Sequence, residues 1–252
     1  DQQIAIFKEA LAYDSLGTTE VREQIINLSG NVLNNQRYSN TEQMQYITFA
    51  IDEMRKESGK LAKDVKHMLF FGSLLNRGLE SNPNYSMEAK NVLEEAVKLS
   101  PTKQTIAFEL AQYYVLVGQL DAARDVLYRA WKLDPTYRVA AVHTWMLAVV
   151  TKQSDIVSEV AALYPLTSLS EIDLVRLGEA YRRVEDYKNA LPIYQQIVVV
   201  IPQNAQYRAT FAALLAREGR IAEARDQAKE AIKLDPAIAK DADNFLQHLK
   251  SQ

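Results

Sequence analysis

Apolar residues recur along most of this chain at spacings of three and four, which places them on one side of an α-helix. A longer period accompanies this one. Four prolines that each follow an apolar helix end lie 34, 67 and 34 residues apart: Pro101, Pro135, Pro202 and Pro236. An alanine stands twelve positions before each of them: Ala89, Ala123, Ala190 and Ala224. This pattern predicts a helical unit that is repeated along the chain.

A large residue followed by a very small one marks the first half of each unit. The pairs are Phe71-Gly72, Leu110-Ala111, Leu177-Gly178 and Phe211-Ala212. A Gly or Ala inside an apolar stripe lets a neighbouring helix approach closely, so we expect a tight crossing there. Glycine lowers helix propensity by about 1 kcal/mol relative to Ala, which favours a packing reason for Gly178. Because proline cannot continue a helix, each unit is predicted to be a helix, a tight turn and a second helix that then stops.

Two segments show the repetition most plainly: "ARDVLYRAWKLDP" ends at Pro135 and "ARDQAKEAIKLDP" ends at Pro236. Because of these recurring residues, the chain resembles the tetratricopeptide-repeat (TPR) family. The 34-residue consensus of that family has a large-small pair at places seven and eight and glycine near place fifteen. Gly118 and Gly219 match the turn glycine, and Glu185 departs from it. The resemblance implies an all-α fold, a right-handed superhelical solenoid of antiparallel helix pairs with about 12 to 14 helices.

The units divide the chain into three parts. Residues 1–60 are predicted to be divergent helices of the stack, 61–236 the TPR-like repeats, and 237–252 a capping helix that shields the last apolar face. The repeats are expected at approximately 61–103, 104–136, 137–170, 171–204 and 205–236.

Two places are irregular. The register of repeat 137–170 is open by one residue, with Thr144 set at the small place, and Ser170 is expected to cap the helix that follows. The turn-rich string "ESNPNYS" (80–86) is expected to protrude as a loop.

Composition excludes several classes of function. The absence of cysteine removes disulfides, thiolate nucleophiles and Cys-rich zinc sites, and a net charge of -3 argues against general nucleic-acid binding. The apolar runs are too short to span a bilayer. Because the chain begins at Asp1 without a signal-like segment, we expect a piece of a longer protein.

Catalytic signatures are missing from the sequence as well. His67, His143 and His248 lie far apart, and no glycine-rich phosphate loop, nucleophile elbow or metal-ligand spacing occurs. Adjacent carboxylates such as Glu94 and Glu95 are expected on solvated helix faces. We therefore predict no catalytic residue, no metal and no cofactor, and a segment that is not an enzyme.

Stacked helix pairs expose the first helices along a groove, which solenoids use to bind extended partners. In the TPR family the groove is lined by places two, five, nine, twelve and thirteen of a repeat. The resemblance assigns these places to Thr105, Phe108, Gln112, Val115 and Leu116, then Ala141, Trp145 and Val149, then Val175, Glu179, Arg182 and Arg183, and finally Ala209, Ala213 and Arg217. Val175, Ala209 and Glu179 depart from the Lys, Asn and Arg of chaperone-binding relatives. An apolar floor at Phe108 and Trp145, edged by arginines, favours an amphipathic helix or apolar peptide. The alternative, that these apolar residues pack in the core, stays open.

Four strings resemble something narrower, the C-terminal repeat region of bacterial O-antigen ligase and polymerase-like membrane proteins. They are "SLGTTEVREQ" (15–24), "LFFGSLLNR" (69–77), "LEEAVKLSPTKQTIAFELAQYY" (93–114) and "DNFLQHLK" (243–250). This resemblance implies a soluble domain tethered to a bacterial membrane through an upstream region. The predicted function is a non-catalytic scaffold that binds a protein or peptide, with self-association also considered. The alternative is a glycan-handling tail, for which Gln112 and Tyr113 are the expected saccharide contacts.

Overall fold

A computed structural model describes residues 2–13, 17–33, 35–59, 61 and 63–239. Thirteen α-helices and no strand occur in this part of the chain, which confirms the all-α prediction. The helices are α1 (Gln2–Ala12), α2 (Thr18–Leu33), α3 (Asn40–Ser58), α4 (Val65–Gly78), α5 (Ser86–Leu99), α6 (Gln104–Leu116), α7 (Leu120–Leu133), α8 (Arg138–Val150), α9 (Ser154–Leu163), α10 (Glu171–Arg183), α11 (Tyr187–Val200), α12 (Ala205–Arg217) and α13 (Ile221–Leu234). Most of the predicted capping helix, residues 240–252, lies outside the described residues.

The chain forms two compact units, Asp1–Asp134 and Pro135–Gln252. In the first unit each of the helices α1 to α6 packs on the helix that follows it, and α4 also packs on α6. In the second unit α8 packs on both α9 and α10, and the order α10, α11, α12, α13 continues as successive neighbours. Sequence neighbours that are also spatial neighbours are what a repeat of helical hairpins produces.

Small residues bring the two helices of a hairpin together, as the large-small pairs predict. A Cβ atom built on Gly178 would lie 3.0 Å from Tyr194 Cε2 and 3.3 Å from Ile197 Cδ1, both on α11. A Cβ atom on Gly72 would lie 2.5 Å from Leu93 Cγ on α5. These two crossings leave no room for a side chain, which explains why glycine interrupts an otherwise apolar helix.

Every hairpin from α6 onward turns through one residue with a left-handed backbone. Gly118 and Gly219 have φ of 75° and 74°, and Lys152 and Glu185 reach 58° and 60° without being glycine. Each of the four lies fourteen residues after the first residue of its first helix, which is α6, α8, α10 or α12. This spacing fixes the register of all four repeats.

The segment 80–86 connects α4 to α5, and Glu80, Ser81, Pro83 and Asn84 in it are exposed, but Tyr85 is anchored in the core. Pro83–Tyr85 forms one 3₁₀ turn, and Tyr85 is only 8% exposed. Its ring fills the space beside Gly78, where a Cβ atom would lie 2.9 Å from Tyr85 Cδ2. The predicted helix cap at Ser170 is confirmed, because the Asp173 backbone N–H donates to Ser170 Oγ at 3.3 Å.

Candidate functional site

The left-handed residues give a common numbering to the first helices. We count places from the first helical residue, so Gln104, Arg138, Glu171 and Ala205 are place one. In this numbering Lys152 is place fifteen of its repeat, which puts Trp145 rather than Thr144 at the small place eight. The register set from the sequence for repeat 137–170 is therefore shifted by one residue.

The shift changes which residues of α8 can face a ligand. Ala141 and Trp145, predicted as groove residues, are 0% and 5% exposed and pack in the interior. Trp145 Nε1 donates a hydrogen bond to Tyr181 Oη on α10 at 3.1 Å, so its polar atom is also satisfied internally. Val149 is buried too. At the corrected places nine and thirteen stand Met146 and Val150, both half-buried.

Two apolar residues at place two remain in water. Val139 on α8 is 48% exposed and Ile172 on α10 is 57% exposed, although α8 and α10 pack directly against each other. Val175, one turn further along α10, is half-buried. We call the surface made by Val139, Met146, Ile172, Val175, Arg183, Ala213 and Arg217 the first-helix face of the second unit.

One pair of predicted groove charges is satisfied internally. Arg182 binds Glu179 through Nη2 to Oε2 at 2.6 Å, and Tyr194 Oη donates to the other carboxylate oxygen at 2.5 Å. The hydrogen bond from Arg182 lowers the pKa of Glu179, and burial raises the pKa of Tyr194. This exposed pair is largely neutralised at its own surface, so it contributes little charge for a ligand.

Arg183 and Arg217 are different. Both are exposed and stand at place thirteen of α10 and α12, and neither forms an ion pair with a carboxylate within the described part of the chain. The Arg217 guanidinium carbon lies 4.1 Å from the centre of the Tyr187 ring, which is close enough for a cation–π contact. Ala213, one turn earlier on α12, is exposed as well, and Ala209 is half-buried.

In the first unit, the predicted lining belongs to α6. Thr105 and Gln112 are exposed and Phe108 is half-buried, while Val115 and Leu116 are 45% and 50% exposed. These residues share one side of a single helix, which the sequence predicted from the repeat register.

Tyr113, the expected saccharide contact beside Gln112, is buried instead. Its hydroxyl lies 3.0 Å from Ser86 Oγ on α5, and its ring packs edge-on against Tyr114. The interior position follows from its place ten, which faces the preceding hairpin. The ring therefore offers no face to a sugar.

The part of the chain that the structure describes contains no cluster of three or more metal-ligating side chains. His67 is buried with its Nε2 atom 3.1 Å from Ser58 Oγ. Among the described residues, no helix combines the length and apolar character needed to cross a bilayer.

Sequence reasoning missed Val139, Met146 and Ile172. The first two were hidden by the register shift, because Lys152 occupies the turn position that a glycine marks in other repeats. Ile172 stands at place two of its repeat, and its spacing from Gly178 at place eight could have identified it as a groove residue.

No family model matches the chain. Among solved structures, the crystal structure of YrrB, a TPR protein with an unusual peptide-binding site, superposes with a TM-score of 0.53 over 79% of this chain and 98% of YrrB, at 16% identity. A tetratricopeptide repeat protein from Parabacteroides merdae gives a TM-score of 0.56 over 84% of this chain and 79% of that one, at 13% identity. The fold is that of tetratricopeptide-repeat proteins.

Two curated Arabidopsis thaliana proteins match a shorter part of this TPR-like chain. TPR repeat-containing thioredoxin TTL4 is 34% identical over 68 residues, and inactive TPR repeat-containing thioredoxin TTL3 is 32% identical over the same length. The match covers 27% of this chain and 10% of each relative. The narrower resemblance to O-antigen ligase tails stays a prediction from the sequence.

Proposed function

We propose that this TPR-like chain is a non-catalytic interaction module that binds a peptide segment of a partner protein on its first helices. The observation that carries the proposal is the exposure of Ile172 and Val139. Both are β-branched apolar residues at the same place of two packed helices, and both leave about half of their surface in water. Apolar residues left in water on two helices that pack together supply the kind of surface that is typical of an interaction site.

The neighbouring residues extend this surface in a way that suits a peptide. Met146 and Val175 add half-buried apolar area, and Ala213 leaves space above α12. Methionine adapts its shape to different partners, and small side chains allow a peptide backbone to approach closely. Thr105, Phe108 and Gln112 are proposed as the corresponding lining of the first unit. The presence of a peptide-binding site in YrrB supports this kind of function for the fold.

The proposal is tested by peptide selection followed by two matched substitutions. Phage-displayed random peptides of about twelve residues would be selected on the purified chain, and the affinity of the enriched peptides measured by fluorescence anisotropy. We expect Ile172→Glu to weaken binding at least tenfold, or about 1.4 kcal/mol. Val199→Glu is the control, because Val199 is 66% exposed on the second helix α11.

Both residues are exposed, so neither change empties the core and both variants should melt at the temperature of the parent. An equal loss of affinity in the two variants would contradict a binding role for the first helices. Failure to enrich any peptide would contradict the function itself.

A glycan-handling role is the second candidate, and one observation favours it. The half-buried Phe108 and the exposed Gln112 lie one turn apart on the same side of α6, which combines an aromatic ring with an amide. Titration with bacterial oligosaccharides by calorimetry, repeated with Gln112→Ala, tests this role. Heat that is unchanged by Gln112→Ala would argue against a saccharide site at α6.

Attachment to a bacterial membrane through a longer parent chain, and self-association, stay predictions from the sequence.

A further inference from the structure

The two ends of the first-helix face differ in chemistry. Ile172 and Val139 lie in the first turns of α10 and α8, whereas Arg183 and Arg217 are the last residues of α10 and α12. Eleven residues separate Ile172 from Arg183, which is about 16 Å along a helix that rises 1.5 Å per residue. One end of the face is therefore apolar and the other end is cationic.

Arg217 is held in place before any ligand arrives. Its guanidinium packs at 4.1 Å from the centre of the Tyr187 ring, and Tyr187 is the first residue of α11, just beyond the turn that follows Arg183. This cation–π contact uses none of the guanidinium N–H groups, so they stay available for hydrogen bonds to a carboxylate. Less side-chain freedom is then lost on binding, which favours affinity.

Carboxylates stand near this cationic end, but none of those described pairs with Arg183 or Arg217. Glu179 is the carboxylate on α10 nearest in sequence to Arg183, and it is already bound by Arg182 and Tyr194. Glu185, Asp186 and Glu218 lie beyond the helix ends, in the turns. Asp186 accepts a hydrogen bond from the Asn189 backbone N–H, and none of the three forms an ion pair with Arg183 or Arg217 among the described residues. An anionic group brought by a ligand would meet two exposed arginines there.

We infer that the peptide bound by the second unit is amphipathic, with apolar side chains at one end and Asp or Glu side chains at the other. The inference rests on the proposed function and specifies its partner. The apolar end packs on Val139 and Ile172, and the carboxylates pair with Arg183 and Arg217. A helical segment of about eleven residues, or an extended segment of about five, spans the distance between the two ends.

The experiment selects phage-displayed random peptides on the parent chain and on the double variant Arg183→Glu/Arg217→Glu. The matched control is Lys103→Glu/Lys229→Glu, which changes the net charge by the same amount at exposed residues outside the face. We expect peptides from the parent chain to be enriched in Asp and Glu next to apolar residues. Their affinity should fall at least about tenfold in the arginine variant and change less than about twofold in the lysine variant.

Selection on the arginine variant should itself favour Lys and Arg in place of the acidic residues. Parent-selected peptides without an acidic excess, or equal affinities for the parent and the arginine variant, would overturn the inference. If such peptides still depend on Ile172, the proposed function stands and only the partner's chemistry is wrong. If no peptide is enriched, both fail.

Discussion

The backbone of Glu185 adopts the conformation of Gly219, with φ of 60° and 74° at the same place of successive hairpins. A residue with a Cβ atom in the left-handed region costs about 1–2 kcal/mol, and glycine avoids this cost. The two turns therefore have the same backbone geometry, although one has glutamate and the other has glycine at this place. This relationship shows that the spacing from helix start to turn, rather than the glycine itself, defines the repeat.

Replacing Glu185 by glycine should stabilise the chain. Relief of the left-handed strain exceeds the extra backbone entropy of glycine in the unfolded chain, which is about 0.4–1 kcal/mol. We expect Glu185→Gly and Lys152→Gly each to raise the free energy of unfolding by about 0.5–1 kcal/mol in urea denaturation. Gly219→Ala should lower it by about 1 kcal/mol. Destabilisation by both glycine substitutions would show that these turns are not strained.

Enlarging Gly178 should destabilise the hairpin of α10 and α11. Because Tyr194 and Ile197 already touch the space above Gly178, Gly178→Leu must push the helices apart. The expected loss is roughly 1–3 kcal/mol or more in the free energy of unfolding. Gly59→Leu is the control, since no atom lies within 4 Å of a Cβ built there. Equal melting temperatures for the parent and Gly178→Leu would contradict the assigned register.

Stability should depend on pH through His67. Burial lowers the pKa of His67 from 6.5, against smaller opposing effects of Asp64 and Glu57, while Arg22 adds to the lowering. The unfolded chain then binds more protons than the folded one between the lowered pKa and 6.5, so stability falls as the pH drops through that window. His67→Gln should remove this dependence. Melting curves from pH 7.5 to 5 that stay parallel for parent and variant would disprove it.

Trp145 separates a core role from a ligand role. Trp145→Phe loses the hydrogen bond to Tyr181 and leaves unfilled space, so we expect a loss of about 1–3 kcal/mol in stability. Peptide affinity, measured at a temperature where the variant is folded, should change less than about twofold. A large loss of affinity with little loss of stability would return Trp145 to the binding surface.

The sequence alone predicts the repeat well because helix packing requires the same kind of residue at equivalent places of every unit. Ala123 and Ala224 are both fully buried, as two equivalent places require. The groove was less predictable. Repeat 137–170 has Lys152 in place of the turn glycine, and only the spacing from Pro135, which matches that of Pro101 and Pro202 to their repeats, marks its register. One residue of shift moves Trp145 from the surface to the core. Likewise, Tyr85 packs into the space that Gly78 leaves by having no side chain, which composition does not reveal.

Methyl NMR during titration with the tightest selected peptide tests most directly whether the first helices bind the partner. With labelled Ile, Val, Leu and Met methyl groups, the resonances of Ile172, Val139 and Met146 should shift in proportion to peptide bound. Those of Val199 on α11 and Leu163 on α9, which are exposed on second helices, should stay unchanged. Shifts confined to Val199 and Leu163 would contradict the proposed site.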